Sequence, residues 1–365
     1  MKWKYHSQQS LFECRKEIHN FENLNISFDN KEDFVERKYP KISVVVTVYN
    51  QENFLKYIYA SILKQSLKDI EIIFVDDAST DNSSLIIKEF MKKDKRIVYV
   101  KNEVNKRAFY SRNRGVLCSR GEYILVIDCD DLLLNNILIK LYETAKEHNL
   151  DILQYYVISG SYKRNRLWSE AKYKNGIIYN NDEVMNIFYF SVTRNLWDKL
   201  IKRKVFIRSI LFMPEEFHKE TYVLHNDDTA FFGIIKMADS YGFLEEIGYF
   251  YNLYNSKSTR HFYFENKYMN NIFHSLFATM KYYYIKSDNN KLEKNNVSYK
   301  FFYKKIYKPY INNINSLTEG FDYIIDVLDL YLQCLYFNEE QKTNITIFKN
   351  KINERIISIK KYAIL

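Results

Sequence analysis

Apolar residues fall into two rhythms along the first half of the chain. Short runs rich in β-branched residues, at 42–48, 70–75, 97–101, 123–127 and 151–158, read as buried strands. Between them, over about 53–65, 82–93, 108–119 and 135–148, apolar positions recur three and four residues apart and predict amphipathic helices. In the first helix Leu55, Ile58, Tyr59 and Ile62 mark the apolar face. Strands and helices alternating at this spacing predict stacked βαβ units and an α/β fold with a mostly parallel sheet. The second half is less regular. Residues 160–176 are basic and polar and read as a loop or hairpin. Residues 268–285 and 321–337 read as helices that are aromatic and apolar on one side, with a polar linker from Asn289 to Asn296. The expected organisation is an N-terminal extension over 1–40, an α/β domain over 41–262 and a mainly helical region over 263–365.

Three predicted strands end in polar clusters: Thr47-Val48-Tyr49-Asn50, Asp76-Asp77 and Asp128-Cys129-Asp130-Asp131. In a parallel sheet these carboxyl ends share one edge, which is where open α/β sheets bind ligands. A strand buried on both faces has no use for three terminal carboxylates unless a cation meets them. Uncompensated burial costs on the order of several kcal/mol per charge. Asp128 and Asp130, one residue apart, can place oxygens on one hard divalent ion, and Mg²⁺ or Mn²⁺ bridges readily to a diphosphate. The competing reading is a solvated acidic turn capping the helix that starts near Asn135. Ser79, Thr80 or Asp81 suits the N-cap of the 82–93 helix, a task for which Asp76 and Asp77 are not needed.

Composition narrows the classes. With 47% hydrophobic residues, the 365-residue chain can bury a sizeable core. Its net charge of +9 implies an anionic partner: nucleic acid, a phosphorylated substrate or an acidic membrane leaflet. The positive charge is scattered, and acidic strand ends repel phosphates unless a metal intervenes, so a nucleic-acid-binding protein ranks last. A nucleotidyltransferase acting on sugar phosphates would want a basic Gly-rich loop near Tyr49 and Asn50, and none is there. The four cysteines lack metal-ligand spacing and are expected to be reduced. There is no apolar signal core and no run near the roughly 20 apolar residues of a spanning helix. A cytoplasmic location is expected, with a possible peripheral position on the inner face of the cytoplasmic membrane.

The order Val-Val-Thr-Val-Tyr-Asn-Gln-Glu, Val-Asp-Asp-Ala-Ser-Thr-Asp, Ser-Arg-Asn-Arg-Gly and Gly-Glu-Tyr-Ile-Leu-Val-Ile-Asp-Cys-Asp-Asp resembles the family 2 glycosyltransferases of GT-A fold, over residues 41–255. The resemblance implies a nucleotide-sugar donor, usually a UDP-sugar, a divalent metal and inversion at the anomeric carbon. On it, Thr47, Tyr49 and Glu52 line the nucleoside pocket, and Asp77 or its neighbour Asp76 accepts from the uracil ring nitrogen. Arg112 faces the diphosphate or the metal-binding aspartates, Asp128 holds the ribose or donor sugar, and Asp130 contacts the metal. One departure stands out. Where the family often has Asn-x-Gly, this chain has Asn105-Lys106-Arg107, and Arg107 either pairs with phosphate or points to solvent.

Further along, Asn195-Leu196-Trp197-Asp198-Lys199-Leu200-Ile201 resembles the family's Trp-x-Lys-Leu segment. Trp197 and Lys199 then suit sugar rings and phosphates, or else form a core Trp beside a surface Lys. His225-Asn226-Asp227-Asp228-Thr229 is similar to the family's Glu-Asp pair, which makes Asp228 the catalytic base and Asp227 an acceptor-side acid; the plainer reading is a helix N-cap. Residues 249–261 resemble the closing strand and loop, with Lys257, Ser258, Arg260 and His261 as a lid over the diphosphate and His261 a metal candidate. The segment from Lys342 to Lys361 alternates Ile and Phe with Lys and Arg, giving an amphipathic helix on an anionic membrane, a homodimer face or a plain helical appendage. The implied activity moves a hexose or N-acetylhexosamine to a glycan or lipid-linked acceptor, in lipooligosaccharide or capsule synthesis.

Overall fold

In a computed structural model the β-branched runs form the strands expected of them. The structure describes residues 39–134, 136–161, 164–167, 177–179, 184, 195–213, 226–253, 324–325, 328–329 and 339–362. The chain divides into two compact units, Met1–Met213 with Ala230–Ser256, and Pro214–Thr229 with Lys257–Leu365.

Among the described residues, the first unit is built on a nine-stranded mixed sheet. Strands β1 (Ile42–Val48), β2 (Ile70–Asp76), β3 (Ile97–Lys101) and β4 (Tyr123–Asp128) lie parallel in the order β3-β2-β1-β4. Helices α1 (Leu55–Leu63), α2 (Ser83–Lys93) and α3 (Arg107–Cys118) connect them. β2 is buried along its whole length, and β1 and β4 nearly so, which is why their sequences run apolar without alternation. β4 continues through the short β5 (Leu132–Leu133) into α4 (Ile137–Glu147).

Beyond β4 the sheet turns mixed. β6 (Ile152–Ser161) pairs antiparallel with β7 (Arg164–Leu167), the hairpin alternative for that segment. β8 (Lys199–Lys202) inserts antiparallel between β4 and β6, and β9 (Tyr241–Asn252) runs parallel to β6 and antiparallel to β5. β8 had no sequence signal: it is four residues long and reads as part of the Trp-x-Lys-Leu segment. Helix α5 (Arg203–Phe212) follows it, and α6 (Asn226–Lys236) precedes β9.

Gly115 sets the distance between α3 and the sheet. A Cβ on it would stand 2.5 Å from Val45 Cγ1 and 2.9 Å from Val75 Cγ2. In the second unit, helix α7 (Glu339–Tyr362) buries Ile345, Phe348 and Ile352 and leaves Ile347 and Ile357 exposed. Among the described residues no helix is long and apolar enough to cross a membrane.

Candidate active site

The ends of β1, β2 and β4 meet at one edge. In the ladder Val48 lies opposite Asp76 and Thr47 opposite Asp128. Pairing continues past the strands: Asp77 N–H donates to Val48 O at 2.8 Å, and Asn102 N–H to Asp76 O at 2.8 Å.

The loops after β1 and β2 are laced together. Asn50 and Ala78 both have left-handed backbones, with φ of 53° and 61°. Asn50 Oδ1 accepts from Thr80 N–H at 2.8 Å, and Asn50 N–H donates to Ser79 Oγ at 3.0 Å. Glu52 Oε2 accepts from Asn82 N–H and Nδ2 at 3.0 and 2.9 Å, and Asp81 takes the Glu52 N–H at 3.1 Å. The polar residues around 79–82 therefore mostly cross-link two loops. Tyr49 stands 44% exposed at this edge, and Thr47 is half-buried.

The two aspartates after β2 differ sharply. Asp76 is fully buried and accepts from Ser79 N–H at 2.9 Å, Tyr99 Oη at 2.8 Å and Ser84 Oγ. Burial works to raise its pKa, but the hydrogen bonds from Ser79, Ser84 and Tyr99 outweigh it and hold the carboxyl below its ordinary value. Asp76 is thus a strut joining β2, β3 and α2. Asp76 was the alternative to Asp77 at the donor, and its oxygens here accept from Ser79, Ser84 and Tyr99. Asp77 Oδ1 accepts from Asn102 Nδ2 and Lys106 N–H, and its Oδ2 from Arg107 N–H, each at 2.7 Å. A carboxylate has roughly four acceptor positions, so one stays open on Asp77 Oδ2.

Asp77 also explains the Asn105-Lys106-Arg107 departure. Arg107 has φ of 68°, the left-handed region where glycine is favoured, and the Asp77 carboxylate holds its N–H there. The Arg107 side chain is exposed, as in the solvent-facing alternative.

At the end of β4, Asp131 N–H closes a turn onto Asp128 O at 3.2 Å. Arg112, buried on α3, brings Nη2 to 3.4 Å from Asp128 Oδ1. Asp131 is buried and accepts from Tyr249 Oη at 2.7 Å and Asn252 N–H at 2.8 Å. Burial, then the charges of Asp130 and Asp128, push the Asp131 carboxyl well above its ordinary range; the same causes raise the Cys129 thiol. Helix α4 starts from Asn136, which has a left-handed conformation and makes no side-chain cap hydrogen bond.

The Trp-x-Lys-Leu segment is interior. Trp197 stacks with both Tyr249 and Tyr251, with ring centroids 5.3 and 5.2 Å away. Lys199 is fully buried, paired with Asp198, donating to Asn195 O at 2.7 Å and standing 4.5 Å over the Phe231 ring. Trp197 is thus the core Trp of the second alternative, whereas Lys199 is buried and not at the surface. Asp227 and Asp228 lie in the first turn of α6, where Asp227 is half-buried. The side chain of Asp228, and all of Lys257, Ser258, Arg260 and His261, lie outside the described residues.

A family model, Glycosyl transferase family 2, matches residues 43–242, more than half of the chain. The chain belongs to this family. Within it, the chain is 38% identical over 152 residues to glycosyltransferase GlyG of Streptococcus pneumoniae serotype 4. That match covers 42% of this chain and 44% of GlyG, so the chain spans less than half of that relative's length. Among solved structures, S. aureus TarS 1-349 in complex with UDP-GlcNAc gives a TM-score of 0.67 at 17% identity, covering 86% of this chain and 89% of that one. Mannosyltransferase PcManGT from Pyrobaculum calidifontis, in complex with GDP-Man and Mn²⁺, gives 0.50 at 11% identity, over 96% and 95%. At such identities the likeness concerns the fold, which is the GT-A fold expected.

A family 2 member implies a divalent cation, and the donor set fits one. Asp128, at the end of β4, and Asp130, two positions on, are both half-buried at this edge. Among the described residues no three His, Cys, Asp or Glu side chains group to hold a metal alone. Mg²⁺-type sites commonly take one or two carboxylates and complete their shell with substrate phosphate and water. Three residues that order this edge escaped the sequence: Asn102, Asp131 and Tyr249. Asp131 had a signal in its place in the acidic run, and Tyr249 in opening the 249–261 segment; Asn102 had none.

Proposed function

We propose that the protein is an inverting glycosyltransferase that moves a sugar from a UDP-sugar to a glycan hydroxyl in surface-glycan synthesis. The observation that carries the reading is the convergence of Thr47, Asp77 and Asp128 at one sheet edge, with Arg112 drawn onto Asp128. Tyr49, exposed at this edge, offers a ring for the base, and the open position on Asp77 offers an acceptor for a ring N–H. Asp130, with Asp128, would hold Mn²⁺ or Mg²⁺; when bound, the ion supplies charge neutralisation on the departing diphosphate. The TarS and PcManGT complexes with nucleotide sugars support this class of donor.

In this reading Asp228 accepts the proton of the acceptor hydroxyl. The hydroxyl oxygen bonds to the anomeric carbon from the face opposite the diphosphate, the carbon–phosphate-oxygen bond breaks, UDP departs and configuration inverts. Arg112 keeps Asp128 oriented.

The test is a donor screen: purified protein with Mn²⁺ and a panel of nucleotide sugars, scored for released nucleotide. Hydrolysis of one UDP-sugar is the expected result. Reaction with nucleoside triphosphates and no nucleotide sugar would replace this proposal with a nucleotidyltransferase.

A further inference from the structure

Asp128 is the last residue of β4 and of its ladder to β1, and Asp130 stands on the turn just beyond it. What fixes that turn comes from β9, more than a hundred residues later. Tyr249 is fully buried there, and one phenol oxygen spans the turn. It donates to Asp131 Oδ2 at 2.7 Å and accepts the Asp128 N–H at 3.2 Å. Three residues on, Asn252 N–H fastens the other Asp131 oxygen at 2.8 Å. The ring itself is stacked on Trp197, with planes 8° apart, and Tyr251 stacks on the same indole at 10°. The main chain of Tyr249 also pairs with Leu133, just after the turn.

We propose that Tyr249 is a positioning residue for donor diphosphate: its hydroxyl, backed by the Trp197 stack, sets the Asp128–Asp131 turn so that Asp128 and Asp130 face the diphosphate together. The proposal rests on the donor-site reading above. Tyr249 touches no donor. Its effect passes through Asp131 and the Asp128 backbone, so it reaches the diphosphate end of the donor and not the nucleoside end, which Tyr49 and Asp77 serve.

The experiment titrates the full chain with UDP in the presence of Mn²⁺ and, separately, with uridine, and records the melting temperature of each variant. Tyr249→Phe is expected to melt cooperatively and keep wild-type uridine affinity. Its UDP affinity should fall about 10- to 100-fold, the loss typical of groups that orient metal-binding carboxylates. Unchanged UDP affinity overturns the proposal, and so does an equal fall for UDP and uridine, which marks general damage to the pocket. Should Tyr249→Phe fail to fold, Asp131→Asn replaces the oxygen that Tyr249 donates to and must give the same selective loss, or the proposal falls. Wild-type protein that binds neither ligand sinks the donor reading and the proposal with it. Wild-type binding with an unaltered variant sinks the positioning role alone.

Discussion

Gly115→Ala tests how closely α3 is pressed to the sheet. In an exposed helix interior, Ala is more favourable than Gly by about 1 kcal/mol. Here the new methyl would meet Val45 Cγ1 at 2.5 Å and Val75 Cγ2 at 2.9 Å, where carbon atoms ordinarily rest about 3.5 Å or more apart. The helix must withdraw by about 1 Å, and overpacking a well-filled core costs about 1–3 kcal/mol. The two effects oppose, and the expected net is a loss of about 0–2 kcal/mol rather than a gain. The same withdrawal carries Arg112 away from Asp128, a contact already at 3.4 Å, so UDP affinity should fall as well. Urea denaturation gives the stability change, and a cycle with Val45→Ala tests its origin. Removing the Val45 methyls relieves the shorter contact, so the double variant should be more stable than the sum of the singles by about 1 kcal/mol. A Gly115→Ala protein about 1 kcal/mol more stable than wild type, with no coupling to Val45, would refute the reasoning.

Asp228→Asn should retain donor binding and lose transfer by about 10²–10⁴-fold, the usual share of a general base; full turnover would remove it from that role. Asp130→Ala should weaken Mn²⁺-dependent UDP binding, and unchanged Mn²⁺ dependence in the same titration would count against the assignment. Asp76→Asn loses charge-assisted hydrogen bonds worth roughly 1.5–3 kcal/mol each. Because the folded carboxyl titrates below its ordinary 3.8, its contribution is complete above about pH 4 and disappears as pH falls through the lower folded value. Denaturation curves of wild type and Asp76→Asn should therefore converge below pH 4; a gap that widens there would reverse the sign.

The parallel half of the sheet and the three polar strand ends were written in the sequence, because burial on both faces leaves an unbroken apolar run and a strand exit leaves polar residues beside it. Arg112 followed from its motif, since the helix that carries it is local. The antiparallel β8 was not legible: its four residues carry no period of their own and become a strand only because β4 and β6 flank them.

Which carboxylates are spent on the fold was decided in three dimensions. Asp76 and Asp77 are neighbours with the same chemistry, yet Asp76 is enclosed by Ser79, Ser84 and Tyr99 while Asp77 keeps an acceptor position. Asp131 differs from Asp130 because Tyr249, 118 residues away, takes its oxygen. For Trp197 and Lys199 the sequence left a ligand face and a core Trp beside a surface Lys both open, and Tyr249, Tyr251, Asp198 and Phe231 pack around them in the fold. Periodicity and composition are local quantities and so gave the strands and the edge where they end. A hydrogen bond between distant residues leaves no trace in either neighbourhood, so only the folded chain assigns each acid to scaffold or to site.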